Sequence, residues 1–390
     1  MKRTVTVIGM LAISAAAFWG FGKLAETADQ PKGFDPKTIP DVVEYTAGIP
    51  RDTVIANVDG QPIAAENYLY WLSYVTELVQ YYQFQGGDID WTQEVDGMPL
   101  SDYLKAQALE SSKLYRVVET KAEELGCGFN EDNEAAYQES YDALVAQQGS
   151  EEAVDKWLLQ ICLNREGFKS INKVRFLYEN IQASQTDSSP ASAVEVADYI
   201  EANDMLRAKH ILLSSKDLTT NEELSDEEKA AKKEQAEELL EQLRQSGDPT
   251  ALFDTLMSEY SEDPGWIYYP DGYDFTAGEM VAPFEQGTRE LEYGEISDVI
   301  ESDFGYHIIL RLDPATDELA AQLGQARGEE EIDALMTDWL ADAQVETTQA
   351  YEDLDVAAFY DKLLALRDEI YETDAAAQAA TAEPTPAEAG

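Results

Sequence analysis

The sequence predicts an α+β protein in which a small unit of strands and helices, residues 205–313, is set into an all-helical lobe formed by residues 53–204 and 314–373. Three observations predict it. Apolar residues recur at helical spacing through 64–203 and again through 317–343. Short apolar runs at 206–213, 296–300 and 306–312 have strand character. The stretch 261–278 between those runs is rich in Pro, Gly, Asp and Tyr and reads as loop. A chain of 390 residues is long enough for two or three domains, and 44% hydrophobic residues suffice to bury their cores.

The elements follow in order. Lys2 and Arg3 precede an apolar run, residues 4–22, which Lys23 closes. Ala15-Ala16-Ala17 offers a signal-peptide cleavage pattern, whereas Phe18-Trp19-Gly20-Phe21 suits the interfacial end of a membrane span. Residues 1–23 are thus an anchor or a signal peptide, with the aromatics favouring the anchor. The basic start puts everything after Lys23 outside the cytoplasmic membrane, tethered there or secreted if the segment is cleaved. Residues 24–52 contain Pro31, Pro36, Pro40 and Pro50 and read as a spacer.

Residues 53–63 read as a strand with an Asp59-Gly60 turn. A helix follows with Tyr68, Leu72, Val75 and Leu78 on one face. The next carries Leu104, Ala108, Tyr115, Val118, Ala122 and Leu125, and Gly126 and Gly128 stop it. Residues 131–147, 151–163 and 166–182 read as further helices, 184–192 as a linker and 194–203 as a short helix. Helices are expected at 223–245 and 250–260, and another carries Ile332, Leu335, Met336, Trp339 and Leu340. Residues 345–348 suit a closing strand and 356–371 a last helix, and 374–390 read as a disordered tail of Ala, Glu, Thr and Pro.

Charge excludes whole classes of partner. Asp and Glu number 78 against 27 Lys and Arg, a formal net charge of -51. Nucleic acid is not expected, because binding phosphates needs a basic surface. Cys127 and Cys162 form no CxxC pair and have no neighbouring His, which argues against zinc and thioredoxin-like chemistry. Whether they form a disulfide in an exported chain is open.

The chain contains two histidines, His210 and His307. Each sits in a strand-like run, Ala208-Lys209-His210-Ile211-Leu212 and Gly305-Tyr306-His307-Ile308-Ile309. Leu206, Ala208, His210 and Leu212 share one strand face. A lone imidazole there is ordinarily a satisfied core side chain, and two buried rings need polar partners. Pairing of the two strands would let them share one network. Two histidines and a carboxylate also match a metal triad in type, but no metal is expected.

Residues 206–312 resemble the parvulin family of peptidyl-prolyl isomerases. The resemblance is carried by Ala208-Lys209-His210-Ile211-Leu212, by Tyr260-Ser261-Glu262-Asp263, by Phe275 with Gly278-Glu279-Met280-Val281-Ala282-Pro283-Phe284, by Gly294-Glu295-Ile296-Ser297 and by Phe304-Gly305-Tyr306-His307-Ile308-Ile309. It implies catalytic roles for His210, Asp263 and His307 as a polar floor, and a proline slot of Phe275, Met280 and Phe284. The implied reaction is rotation about an Xaa-Pro amide, whose barrier is ~18–20 kcal/mol. It needs neither nucleophile, metal nor cofactor. One departure lies at the rim. Many parvulins carry Gly-Gly before an Asp-Leu-Gly segment, where this chain has Tyr269-Pro270 and then Asp271-Gly272-Tyr273. That alters backbone freedom there and bears on substrate choice and rate. Residues 214–222 hold no Arg cluster, so phosphate-directed specificity is not expected.

The flanks are similar to the chaperone domain of PrsA- and SurA-type foldases, in which helices before and after the isomerase make one lobe. The implied protein is a prolyl isomerase and chaperone for unfolded or partly folded exported polypeptides with Xaa-Pro bonds, membrane-attached through its N-terminal segment. A homodimer through the helical lobe is left open. The alternative is a holdase that binds unfolded chains with weak or no catalysis.

Overall fold

The computed structural model describes residues 33–381. The chain divides into two compact units: residues 187–327 form one, and 33–186 with the chain after 327 form the other. The first unit is therefore an insertion in the second.

The discontinuous unit is built mainly from helices Ala65–Phe84, Leu100–Glu124, Glu131–Gln148, Glu151–Gln160, Arg165–Gln185 and Val356–Thr381. Each periodic apolar face lies in one core. Tyr68, Leu72, Leu104, Ala108, Val118 and Ala122 are buried there, while Leu78, in the C-terminal half of its helix, and Leu125, just past the end of its own, are exposed. The last helix contributes Val356, Phe359, Tyr360, Leu363, Leu366 and Ile370, a 3.6-period stripe. Polar side chains close the helix starts: Asn130, Ser150 and Asn164 each accept backbone N–H bonds of the first turn. Gly126, at φ +69°, ends the Leu100–Glu124 helix region as its position predicts.

This unit is not helix alone. Strands β1 (Val54–Val58) and β2 (Gln61–Ala64) form a hairpin through Asp59 and Gly60, both at positive φ. Strands β3 (Glu94–Val95) and β4 (Met98–Pro99) make a second, minimal hairpin. Ile55, Ala56 and Val58 of β1 are buried, and its other edge pairs with a strand from far along the chain, residues 345–347 (β9 when numbered in order).

Two expectations fail here. Residues 33–52 are not a spacer: Phe34, Ile39, Val42 and Val43 are buried in the main core. Asp41 caps the short helix Val42–Ala47, and the prolines hide an apolar pattern only six residues long. Nor does order end at residue 373. The last helix runs through Thr381, and Asp374 accepts hydrogen bonds from the Phe34 N–H at 2.9 Å and from Lys156 Nζ at 2.8 Å. Those partners lie more than two hundred residues away, beyond any local signal. Cys127 and Cys162 are free and buried, and burial pushes the Cys162 thiol up to about 12. The anchor or signal peptide expected at 1–23 lies outside the described residues. Among those described, no helix is long and apolar enough to cross a membrane.

The inserted unit holds a four-stranded antiparallel sheet. Its strands are β5 (Leu206–Ser214), β6 (Tyr273–Phe275), β7 (Ile300–Ser302) and β8 (Gly305–Leu312), in the order β6-β5-β8-β7. Ile211, Leu213, Tyr306, Ile308 and Leu310 pack on one side with helices Asp226–Gln245 and Pro249–Tyr260. The other side carries Leu206, Ala208, Ile309, Phe275 and Phe284, the last from helix Ala282–Glu290. Ile296, expected in a strand, makes only a single bridge to Leu310; the regular strand begins four residues later. β6 and helix Ala282–Glu290 carry too few residues to declare a period.

Candidate active site

β5 and β8 pair antiparallel with His210 opposite Ile309 and Leu212 opposite His307. The two histidines are therefore diagonal neighbours on the same face, close enough for long side chains to touch. His210 Nδ1 lies 3.0 Å from His307 Nδ1, and the rings stack at a centroid distance of 5.3 Å. Both are buried. Strand pairing thus supplies what residue spacing does not.

Asp263 is brought to His210 by its two predecessors. Ser261 Oγ accepts from the Leu212 N–H at 3.2 Å, and the Glu262 N–H donates to the Leu212 carbonyl at 2.8 Å. The Glu262 carboxylate accepts from the Ser214 N–H at 2.7 Å and pairs with Lys232. This lacing binds the loop to the end of β5 and leaves Asp263 facing the imidazole. Its two oxygens have different tasks. Oδ1 accepts from the Gly265 N–H at 3.0 Å and caps the turn that Pro264 opens. Oδ2 lies 2.9 Å from His210 Nε2.

The electrostatics give the network a direction. Burial pushes the Asp263 carboxyl up, but bonds from His210, Tyr273 and the Gly265 N–H outweigh it and hold the group at about 2. His307 is lowered to about 3, first by burial and then by its proximity to His210, so it is neutral near pH 7. An ionised carboxylate only accepts, so His210 carries its proton on Nε2. In the tautomer that keeps His210 Nδ1 as the acceptor, it accepts from His307 Nδ1–H. His307 Nε2 then accepts from the Ser302 hydroxyl at 2.6 Å, and Ser302 Oγ accepts from the Phe304 N–H at 3.1 Å. These tautomers follow from hydrogen-bond logic. Asp263 and His307 hold opposite edges of the His210 ring rather than converging on a common centre. Among the described residues no group of three or more His, Cys, Asp or Glu side chains is arranged to hold a metal ion.

The expected apolar residues gather over this network. The Phe284 ring meets His210 edge-on at 5.1 Å and His307 at 5.5 Å, with Phe275 5.8 Å away. Phe275 and Phe284 are buried, whereas Met280 is half-buried. At the altered rim, Ile267, Tyr268 and Tyr269 are 65%, 79% and 56% exposed. The sequence reading missed two network members. Tyr273 donates to Asp263 Oδ2 at 2.5 Å, and Ser302 joins His307. Only the registers, Ala208 opposite Tyr273 and Ile300 opposite His307, bring them in, and no spacing in the chain signals those pairings.

Residues 193–315 match the family model of the PPIC-type PPIase domain. The inserted unit is therefore a parvulin-type module. The chain is 38% identical over 76 residues to the foldase protein PrsA of Geobacillus sp. (strain WCH70), covering 19% of this chain and 27% of that protein. It is 32% identical over 111 residues to the chaperone SurA of Chromohalobacter salexigens, covering 27% of this chain and 26% of that protein. A crystal structure of peptidylprolyl isomerase (PrsA) from Bacillus cereus is similar at 19% identity and a TM-score of 0.25, over 81% of this chain and 99% of that one. The chain thus spans about a quarter of the length of the curated relatives it matches.

Proposed function

We propose that the inserted unit catalyses cis-trans rotation about Xaa-Pro amides, with His210, Asp263 and His307 as its polar floor and Phe275, Met280 and Phe284 as its proline slot. One observation carries this reading. In a segment matching the PPIC-type domain, every polar side-chain atom of the floor already has a partner, and an apolar wall lies directly against it. A site with no free nucleophile and no unpaired base suits a reaction that makes and breaks no covalent bond. Twisting the amide removes its resonance, and with it the charge separation between oxygen and nitrogen. An apolar slot favours that less polar state over the planar amide, so binding is stronger at the transition state. The hydrogen-bonded floor holds the rings rigid beneath the slot.

In this reading the discontinuous helical unit binds unfolded polypeptides and delivers their prolines. The protein acts outside the cytoplasmic membrane on exported chains, tethered by residues 1–23 or secreted where that segment is cleaved. The test is exchange spectroscopy on a short Xaa-Pro peptide with the full chain, run beside an aggregation assay on an unfolded protein. Faster exchange together with suppressed aggregation supports the foldase. Suppressed aggregation with unchanged exchange leaves the holdase instead.

A further inference from the structure

Asp263 has a third partner. Tyr273 lies in β6 directly opposite Ala208, two residues from His210 on the same face of β5. Its hydroxyl donates to Asp263 Oδ2 at 2.5 Å, the same oxygen that takes the His210 Nε2–H at 2.9 Å. Its ring meets the His210 ring edge-on at 5.8 Å.

The backbone around this phenol is shaped to admit it. A Cβ on Gly265 would lie 2.2 Å from the Tyr273 hydroxyl oxygen, so a side chain at residue 265 would push the phenol from this place. Gly272, at φ +109°, brings the chain into β6, where a Cβ would lie 3.1 Å from the Ala208 carbonyl oxygen and 2.8 Å from Leu312 Cδ1. Both glycines thus serve the approach of Tyr273 to the carboxylate.

We propose that Tyr273 is a positioning residue of this site: its hydroxyl keeps Asp263 an ionised acceptor and so fixes the nitrogen of His210 that carries the proton. The inference rests on the isomerase reading for its functional meaning. A hydroxyl bonded to a carboxylate is a strong, charge-assisted donor. Burial and the bond to Asp263 both push the Tyr273 phenol up, so it remains a donor through the whole neutral range. Without it, Oδ2 loses one of two donors and the Asp263–His210 pair takes up a proton more readily. The titratable groups facing Asp263 are His210 on β5 and Tyr273 on β6. His307 on β8 stands behind His210, and the Tyr269 ring meets Tyr273 at a tilt, 5.1 Å away. Glu262 is turned away toward Ser214 and Lys232.

The test uses the full chain labelled with 15N histidine, in which two rings give all the signals. The pH at which the Asp263–His210 pair protonates is followed in the wild type, Tyr273→Phe and Gly265→Ala. Gly265→Ala keeps the phenol but displaces its hydroxyl, which guards against a fold defect peculiar to the Phe variant. Both variants are expected to move that midpoint up by about one pH unit, and the acid limb of isomerisation with it. An unmoved midpoint in folded variants overturns the proposal and makes Tyr273 a packing residue. If the wild type does not isomerise prolines, the functional reading fails on its own, while the histidine titration still decides what Tyr273 does to the pair.

Discussion

At the scale of the residue, two groups of the polar floor titrate well below their ordinary values, and both make the inserted unit sensitive to acid. His307 is held at about 3 against an ordinary 6.5, so below pH 6.5 the unfolded chain binds a proton that the folded chain refuses. Its contribution is fully present above pH 6.5 and is lost progressively as pH falls toward 3. Asp263, held at about 2 against 3.8, acts in the same direction in a lower window: its stabilisation is present above pH 3.8 and lost as pH falls through 2. Between pH 7.5 and 5.5 ordinary carboxylates stay ionised, so His307 dominates this pair of effects. Hydrogen exchange of β5 and β8 amides should report a loss on the order of 1 kcal/mol across that range. His307→Gln should flatten the slope; an equally steep slope in that variant would contradict the assignment. His210, Asp263 and His307 were legible as candidates from the sequence because separate blocks of residues resemble one family. Tyr273 and Ser302 were not, because each joins the network through a strand register. A phenol in a loop-rich run and a serine beside a turn carry no mark of their partners.

At the scale of the element, strand β8 depends on its first residue. Gly305 has φ +136°, and a Cβ there would lie 2.1 Å from the Leu213 carbonyl oxygen and 2.7 Å from the Ser215 N. Gly305→Ala forces a side chain into the β5 backbone and should destabilise the inserted unit by roughly 2–4 kcal/mol, seen as a lower melting temperature. Because Gly305 precedes His307 by two residues, isomerisation should fall in parallel. Long amphipathic helices were legible to within a few residues: 250–260 was expected and Pro249–Tyr260 is found. Elements set by tertiary contact were not. The Val42–Ala47 helix gains its place from burial of Val42 and Val43, and β6 exists because three residues meet the edge of β5. Neither is long enough to show a period.

At the scale of the whole molecule, the insertion closes on itself. Arg327 Nε donates to the Asp187 carbonyl at 3.0 Å and Nη2 to the Ser189 carbonyl at 2.9 Å, while Nη1 binds Glu195 at 2.8 Å. The Ala191 N–H donates to the Ala320 carbonyl at 2.7 Å, and Val196 and Leu319 pack in a small cluster beside it. The unit begins and ends at one place and has its own core, so residues 187–327 alone should fold cooperatively, measured by calorimetry. Absence of a cooperative transition would contradict the division. The insertion was legible because separate blocks of residues within 206–312 resemble one family, but its edges lie at 187 and 327 rather than at 205 and 313. The extent of the outer unit was not, since Phe34 and Asp374 join it through partners distant in sequence.

The central claim is that the buried network and its apolar cover make a prolyl isomerase. The most direct measurement is acceleration of a proline-limited refolding reaction by the full chain, with Asp263→Ala and Met280→Ala in parallel. Asp263→Ala removes the acceptor of His210 and Tyr273, and Met280→Ala opens the half-buried side of the slot. The account predicts clear acceleration by the wild type and at least a tenfold loss in each folded variant, about 1.4 kcal/mol of transition-state stabilisation. No acceleration by the wild type, or full acceleration in both variants, would contradict it.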